Sequence, residues 1–263
     1  MERKNTSRLS AIQTCWALVF DAHAGKGDAI VTAQERLLMR YYRSVVRYMR
    51  ALVRDPDVAD ELTHEFVVRF LRGDLRQANP SRGRFRDLLK KALRNLAIDY
   101  WRRKQSEKKT HAGARPLRER EVSTPLSDEA EADELFLRDW RKEIMGQASR
   151  ALARLDDRRG QQYFAILHFK AAHPKKHSKE LAPLFGASVG KPMTAAAFRQ
   201  SLRRAREKYA DLLIAEVARS LHTADPDAVE AELVELALLS FCRRSMLRLR
   251  GAKTVARGKK RTP

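Results

Sequence analysis

The segment from Arg82 to Lys109 combines a helical apolar stripe with a high density of positive charge. Its apolar side chains recur every three or four residues, which predicts an amphipathic helix; they are Phe85, Leu89, Ala92, Leu96 and Tyr100. Eleven Lys and Arg residues stand there against three Asp and Glu. Arg86, Lys90 and Arg94 share the opposite face, where each like-charged pair costs an isolated helix about 0.2–0.5 kcal/mol. We expect nucleic-acid phosphate along that face to remove the repulsion.

The whole chain also carries a large excess of positive charge. Its formal net charge is +21 over 263 residues, and its pI is near 10.5. Clustered charge at this level is typical of proteins that bind nucleic acid. A solvated basic surface that only keeps the protein in solution is the alternative.

Strand signals are scarce, because the chain holds only 11 Gly and 9 Pro and lacks a convincing alternating segment. We therefore predict an all-α fold with two helical domains joined by an acidic linker. The predicted divisions are a first domain over 1–109, a linker over 110–132, a second domain over 133–222, and a C-terminal helical extension with a basic tail over 223–263.

Periodicity and breakers predict the individual helices. In the first domain they cover Ser10–His23, Thr32–Arg54, Asp57–Arg72 and the basic segment. In the rest of the chain they cover Asp133–Leu155, Gly160–Lys170, Ser178–Gly186 with Ser178 as N-cap, Thr194–Leu221 and Asp225–Met246, and the residues from Gly251 to Pro263 are predicted to be disordered.

Acidic side chains are concentrated in two places. Asp57, Asp60, Glu61 and Glu65 gather in the first half of one helix, where they complement the helix dipole and lie on a solvated face. Five acids occupy the seven positions from Asp128 to Glu134. A solvated spacer is the favoured interpretation of that segment, and folding back onto the basic domains or imitating nucleic acid is the alternative.

The second predicted domain contains a helix-turn-helix pattern. The short helix from Ser178 is followed by a turn and by a long helix from Thr194, whose core face holds Phe198 and Leu202. The opposite face carries side chains able to contact base edges and phosphates, namely Arg199, Gln200, Arg203, Arg204 and Arg206. Any helical hairpin with a basic surface can imitate this pattern.

Several functional classes find no support in the sequence. Cys15 and Cys242 are far apart, so neither a disulfide framework nor a cysteine zinc site is indicated, and we expect a cytoplasmic protein. Pro174 separates His173 from His177, so no helical metal-ligand face forms. We predict no catalytic residue, metal or cofactor, no signal peptide and no membrane helix.

The order of these segments resembles the sigma-70 family of bacterial RNA polymerase sigma factors, in the small extracytoplasmic-function class. YYRSVVRYMRALVRDPDVADELTHEFVVRFLRG resembles the family's first conserved stretch. SRGRFRDLLKKALRNLAIDYWRRK resembles the part of the family that reads and opens the minus-ten promoter element. ALARLDDRRGQQYFAILHF, SKELAPLFG and FRQSLRRAREKYADLLIAEVARSL resemble its minus-thirty-five-binding domain. AELVELALLSFCRR resembles an extension found in planctomycete-like sigma factors.

The resemblance implies a transcription initiation factor with two partners, core RNA polymerase and promoter DNA. Asp60, Glu61, Glu65 and Phe66 fall where the family docks on the clamp helices of the largest polymerase subunit. The implied DNA contacts come from the basic helix, from the loop Asn79–Arg84, where the family captures a flipped base, and from the second-domain helix. Together with the basic stripe, the DNA-binding candidates are Arg82, Arg84, Arg86, Lys90, Arg94, Asn95, Asp99, Trp101, Arg102, Arg103, Arg199, Gln200, Arg203, Arg204 and Arg206.

Other functions stay open at this point. A helix-turn-helix regulator that binds DNA without polymerase is the first alternative, and an RNA-binding protein is the second. An anti-sigma factor is left open as a further partner. The turn Gly186–Met193 is longer than the family's usual tight turn, so the bases that the following helix would read are not assigned.

Overall fold

The computed structural model describes residues 28–75, 83–111, 129–159 and 161–259. Over these ranges the chain forms nine helices and no strand, which confirms the all-α prediction. The helices are α1 (Asp28–Leu52), α2 (Pro56–Arg72), α3 (Phe85–His111), α4 (Glu129–Arg159), α5 (Tyr163–Ala172), α6 (Ser178–Ser188), α7 (Ala195–Leu221), α8 (Pro226–Glu235) and α9 (Leu239–Lys259). The predicted helix Ser10–His23 lies outside the described residues.

The chain divides into two compact units between Arg141 and Lys142, and Arg219–His222 is grouped with the first unit. This division differs in place from the predicted one, which set a linker over 110–132. Glu129 already begins α4, so the acidic segment is helical from that residue onward. The first half of α4 is part of the first unit.

Local sequence fixes both ends of α2. The Asp55 carboxylate accepts hydrogen bonds from the backbone N–H groups of Asp57 and Val58, at 3.0 and 3.3 Å, and Pro56 occupies the first turn. At the other end Gly73 has φ +96°, a left-handed conformation that glycine adopts without strain, and its N–H donates to the Phe70 carbonyl at 3.0 Å. The predicted break at Asp55-Pro56-Asp57 is therefore confirmed.

An aromatic cluster forms the core of the first unit, and two of its five rings come from α4. Trp140 lies parallel to Tyr41 with ring centroids 4.8 Å apart, and its ring is 6.4 Å from that of Phe85. Phe136, also on α4, meets the edge of Tyr48 at 5.1 Å. These side chains are buried, so α4 completes an aromatic core with α1 and α3.

The core of the second unit is formed where α5, α6 and α7 meet. Ile166, Leu181, Phe185, Phe198 and Leu202 are its main buried side chains. Phe185 contacts the edges of both Phe169 and Phe198, at centroid distances of 5.3 and 5.8 Å. Leu202 and Phe198 lie on one face of α7, as the periodicity predicted.

The helix starts in this unit differ slightly from the predicted ones. The N-cap of α6 is His177 and not Ser178, and the His177 N–H donates to the Glu180 carboxylate at 2.8 Å. Thr194 precedes α7, and its hydroxyl accepts from the Ala197 N–H at 3.2 Å. Between the two helices, the Lys191 N–H donates to the Gly186 carbonyl at 2.9 Å, which holds the ends of the long turn together.

The C-terminal extension consists of two helices, so the prediction of a single helix over Asp225–Met246 is wrong. The chain breaks at Leu236–Leu238, where Ala237 has φ +52° and the Leu238 N–H donates to the Leu233 carbonyl at 2.8 Å. The second helix, α9, continues to Lys259, so the segment from Gly251 is helical where disorder was predicted. No helix in the described ranges is long and apolar enough to cross a membrane.

Candidate functional site

The acidic face of α2 lies at the surface of the first unit. Asp60 and Glu61 are exposed, and the Asp60 carboxylate accepts from the Arg50 guanidinium at 3.0 Å. Glu65 is half-buried and pairs with Arg69 at 2.5 Å. An exposed pair of this kind contributes at most about 1 kcal/mol, so these carboxylates remain available to a partner.

Phe66, grouped with these carboxylates by the resemblance, lies in the core of the first unit. Its side chain is 6 % exposed and stacks against Phe70 with ring centroids 6.4 Å apart. The structure therefore places the three acids at the surface and the aromatic ring beneath them. Phe66 supports the helix that carries the acids.

The predicted basic stripe on α3 is not an open surface. Arg86 is 2 % exposed, with its guanidinium 3.7 Å from the Asp87 carboxylate. The Lys90 ammonium donates to Asp133 at 2.9 Å, and the Arg94 guanidinium lies within 3.4 Å of Asp133. The start of α4 thus supplies the anion for Lys90 and Arg94, whereas Arg86 has the Asp87 carboxylate of α3 beside it.

This finding corrects the expectation that Arg86, Lys90 and Arg94 present a free basic face. The sequence predicted the basic stripe on the face of α3 opposite its apolar side chains. In the structure α4 covers that basic face. Glu129, in the first turn of α4, adds a carboxylate 3.3 Å from Arg94. The role of these three residues in binding DNA stays a prediction, and it would require them to leave their intramolecular partners.

Asp133 also accepts a hydrogen bond from the Tyr48 hydroxyl at 2.9 Å. Burial and the neighbouring carboxylate raise the pKa of Tyr48, because both disfavour a phenolate. Burial alone would raise the pKa of Asp133, but hydrogen bonds from Lys90 and Tyr48 outweigh it and hold that pKa below its usual value. The cluster therefore keeps Asp133 ionised and Tyr48 neutral.

Replacing Asp133 by alanine is expected to lower the free energy of unfolding by about 1–2 kcal/mol, because the buried Tyr48 hydroxyl loses its acceptor. The folded-state pKa of Asp133 is depressed, so its contribution is present above the ordinary pKa of 3.8 and is lost as pH falls below it. Urea titrations at pH 7 and pH 3 would measure both effects.

Glu131 provides the control for that experiment, since it is an exposed acid on the same helix. Its replacement by alanine should change the unfolding free energy by less than about 0.5 kcal/mol. An equal loss in the two variants would show that Asp133 acts only through general charge.

The C-terminal half of α3 presents the remaining candidates. Asn95, Arg102 and Arg103 are exposed, and Asp99 is half-buried. The Arg103 guanidinium lies 3.4 Å from Glu65 of α2, so the predicted polymerase-binding and DNA-binding surfaces are joined by an ion pair.

Trp101 is half-buried, and its ring meets that of Tyr100 edge-on with centroids 5.3 Å apart. The Lys104 ammonium lies 5.4 Å from the centroids of both rings and donates to the Tyr100 hydroxyl at 3.2 Å. That hydrogen bond raises the pKa of Lys104. Lys104 was not among the residues identified from the sequence. Its position four residues after Tyr100 indicates that the two side chains are neighbours on the helix surface.

The loop before α3 is described only in part. Arg82 lies outside the described residues. Arg84 is half-buried, and its guanidinium donates to the Asp87 carboxylate at 2.6 Å in the first turn of α3.

In the second unit, the five candidates on α7 lie on its exposed face. Arg203 donates to Glu207 at 3.3 Å, one turn further along the helix. Opposite them Phe198, Leu202 and Ala205 are buried. The helix therefore has the arrangement expected of a DNA-reading helix, and the reading itself stays a prediction.

Comparison with known families bears on the first unit. Residues 37–107 match the family model of sigma-70 region 2, from within α1 almost to the end of α3. The match lies within the first unit, and this part of the chain is therefore similar to region 2 of sigma-70 proteins. No curated protein and no solved structure matches the chain.

Proposed function

We propose that this protein is a sigma factor of the small extracytoplasmic-function class, which binds core RNA polymerase, brings it to promoters and promotes opening of the minus-ten element. The observation that carries the proposal is the region 2 match over residues 37–107, because that range contains both the acidic face of α2 and the exposed residues Asn95, Arg102 and Arg103 of α3. Such a protein works in the cytoplasm.

In this proposal the surface acids of α2 dock on the clamp helices of the largest polymerase subunit. Asp60 and Glu61 are the most accessible of them. Among the residues that the structure describes, one ion pair, between Asp60 and Arg50, opposes their charge. Complementary charge of this kind speeds association and selects the partner more than it adds affinity.

The C-terminal half of α3 is proposed to engage the minus-ten element. Asn95, Arg102 and Arg103 are exposed there, and the half-buried Trp101 ring lies beside them. Flipping a base costs a few kcal/mol, and stacking on an aromatic ring offsets about 1–3 kcal/mol of that per base. No covalent step is required of the protein.

The second unit is proposed to bind the minus-thirty-five element through α7. Arg199, Gln200 and Arg203 lie on consecutive exposed turns, with the chemistry to contact phosphates and base edges. This same surface favours the alternative function, a helix-turn-helix regulator that binds duplex DNA without polymerase.

Polymerase capture separates the two functions. The double variant Asp60→Ala, Glu61→Ala should reduce capture by core RNA polymerase at least tenfold, because it removes the exposed charge proposed to meet the clamp helices. The matched control is Glu131→Ala, Glu134→Ala, which removes two exposed acids from α4 of the same unit. The control should capture polymerase as the wild type does.

Open-complex formation tests the initiation step itself. Polymerase with the wild-type protein should make thymines of the minus-ten element reactive to permanganate on a matched promoter. Binding to duplex DNA without any capture of polymerase would support the regulator and overturn the sigma-factor proposal.

A further inference from the structure

A basic cleft of about 900 Å³ opens in the second unit between α7, the start of α9 and the loop before α6. Seven Lys and Arg residues line it against a single acid, Glu207. Arg199, Arg203 and Arg206 come from α7, and Arg243 and Arg244 come from the first turns of α9. The C-terminal extension thus forms one wall of a cleft whose other wall is the predicted DNA-reading helix.

Most of the cationic groups in the cleft lack a compensating anion. Glu207 is engaged by Arg203 at 3.3 Å. The Lys170 ammonium donates to the backbone carbonyls of His173, Pro174 and Lys176 and so stabilises the loop before α6. Among the described residues the other five cations form no ion pair; they are Lys176, Arg199, Arg206, Arg243 and Arg244. An anion bound in the cleft would relieve their mutual repulsion.

Two helix starts add to the positive potential. Ser178 in the first turn of α6 and Ser240 in the first turn of α9 both line the cleft. The first N–H groups of a helix have no partner within it and carry the positive end of the helix dipole. The positive ends of two helix dipoles therefore lie beside the cationic side chains of the cleft.

Packing fixes Arg243 and Arg244 relative to α7. Phe241 meets the edge of Tyr209 on α7 at a centroid distance of 5.7 Å, and Arg248 donates to Asp211 at 2.8 Å. Cys242, next to Arg243, is fully buried. The start of α9 is anchored, and its two arginines are held at the rim.

The spread of charge points to a polymeric anion. Arg199 to Arg206 covers about 10 Å along α7 at 1.5 Å per residue, which exceeds a single phosphate group. Duplex DNA presents one charge about every 3.4 Å along each strand. A row of phosphates can pair with cations along the whole cleft, whereas a single small anion would pair with only some of them.

We propose that Arg243 and Arg244 at the start of α9 bind phosphates of the DNA held against α7, so that the C-terminal extension is the second wall of the DNA-binding cleft. This inference rests on the proposed DNA binding by the second unit. It assigns the extension a direct part in holding DNA.

The test measures the affinity of the full-length protein for a fluorescent 30-base-pair duplex, about three helical turns, by anisotropy over a series of salt concentrations. Each lost phosphate contact lowers the magnitude of the slope of log affinity against log salt by about 0.9. The double variant Arg243→Ala, Arg244→Ala should therefore bind more weakly, with a slope smaller by about 1.8. All measurements are made without polymerase.

The matched control is Arg154→Ala, Arg158→Ala, which removes two exposed arginines of α4 in the same unit, outside the cleft. It should retain the wild-type slope. A photo-crosslinking residue at Ser240 should capture the duplex, and one at the exposed Met145 should not.

Unchanged binding by the Arg243, Arg244 variant would overturn the inference. Tighter binding would also overturn it, since it would mean that α9 covers α7 instead of extending its surface. A wild-type protein that binds structured RNA but not duplex DNA would overturn it as well. The duplex experiment contains no polymerase, so its result does not depend on the capture experiment. If the wild-type protein fails to capture polymerase, only the sigma-factor proposal is contradicted.

Discussion

Replacing Trp140 by alanine is expected to lower the free energy of unfolding by about 3–5 kcal/mol. Its side chain is 1 % exposed and stacks on Tyr41 of α1, with Phe85 of α3 close by. Removal of the ring leaves a cavity where α4 meets three other aromatic side chains. Urea titration followed by far-ultraviolet circular dichroism would measure the loss.

Two further variants make this prediction specific. Trp140→Phe retains a ring and removes the buried indole N–H, which has no hydrogen-bond partner among the described residues, so it should cost less than half as much. Arg138→Ala, at an exposed position on the same helix, should change stability by less than about 0.5 kcal/mol. A Trp140→Ala loss below about 1 kcal/mol, no larger than a typical substitution, would contradict the packing of α4 on this core.

Replacing Gly186 by alanine is expected to destabilise the second unit by about 1–3 kcal/mol, the usual range for forcing extra atoms into a packed site. A Cβ at this position would lie 2.7 Å from the Lys191 carbonyl oxygen and 3.1 Å from the Met193 nitrogen. Both are backbone atoms, so neither can swing aside as a side chain would. The turn that sets the start of α7 must shift instead.

The effect should reach DNA binding because the displaced turn leads directly into α7. Thermal unfolding would report the loss of stability, and anisotropy with a duplex would report the loss of binding. Gly251→Ala is the control, since a Cβ there meets no atom within 4 Å and Gly251 lies inside α9. Alanine should stabilise that helix by about 0.5–1 kcal/mol. Equal stability of Gly186→Ala and the wild type would contradict the close approach.

The sequence predicted those parts of the fold that depend on nearby residues. Asp55 and Pro56 mark the start of α2, and Phe198 and Leu202 mark the buried face of α7, because caps and helical periodicity act within one or two turns. The all-α class followed from the same local signals. Surface placement of Asp60, Glu61 and the α7 arginines also followed from periodicity.

The features that the sequence did not predict depend on distant partners. Nothing near Asp133 indicates that Lys90 and Tyr48 will meet it, since they lie 43 and 85 residues away. A charge pattern alone does not distinguish a solvated acid from a paired one. The break at Ala237 has no Gly, Pro or Asn to mark it, although its φ of +52° is one that few other residues adopt.

The buried position of Trp140 has a consequence during synthesis of the chain. The chain leaves the ribosome N-terminus first, so Tyr41 and Phe85 emerge well before Trp140, which covers them in the folded protein. At about 5–20 residues per second, the stretch from Phe85 to Trp140 takes roughly 3–11 seconds to translate. For that interval we expect Tyr41 and Phe85 to lack the ring that covers them, so the core of the first unit closes only after the start of α4 has been made.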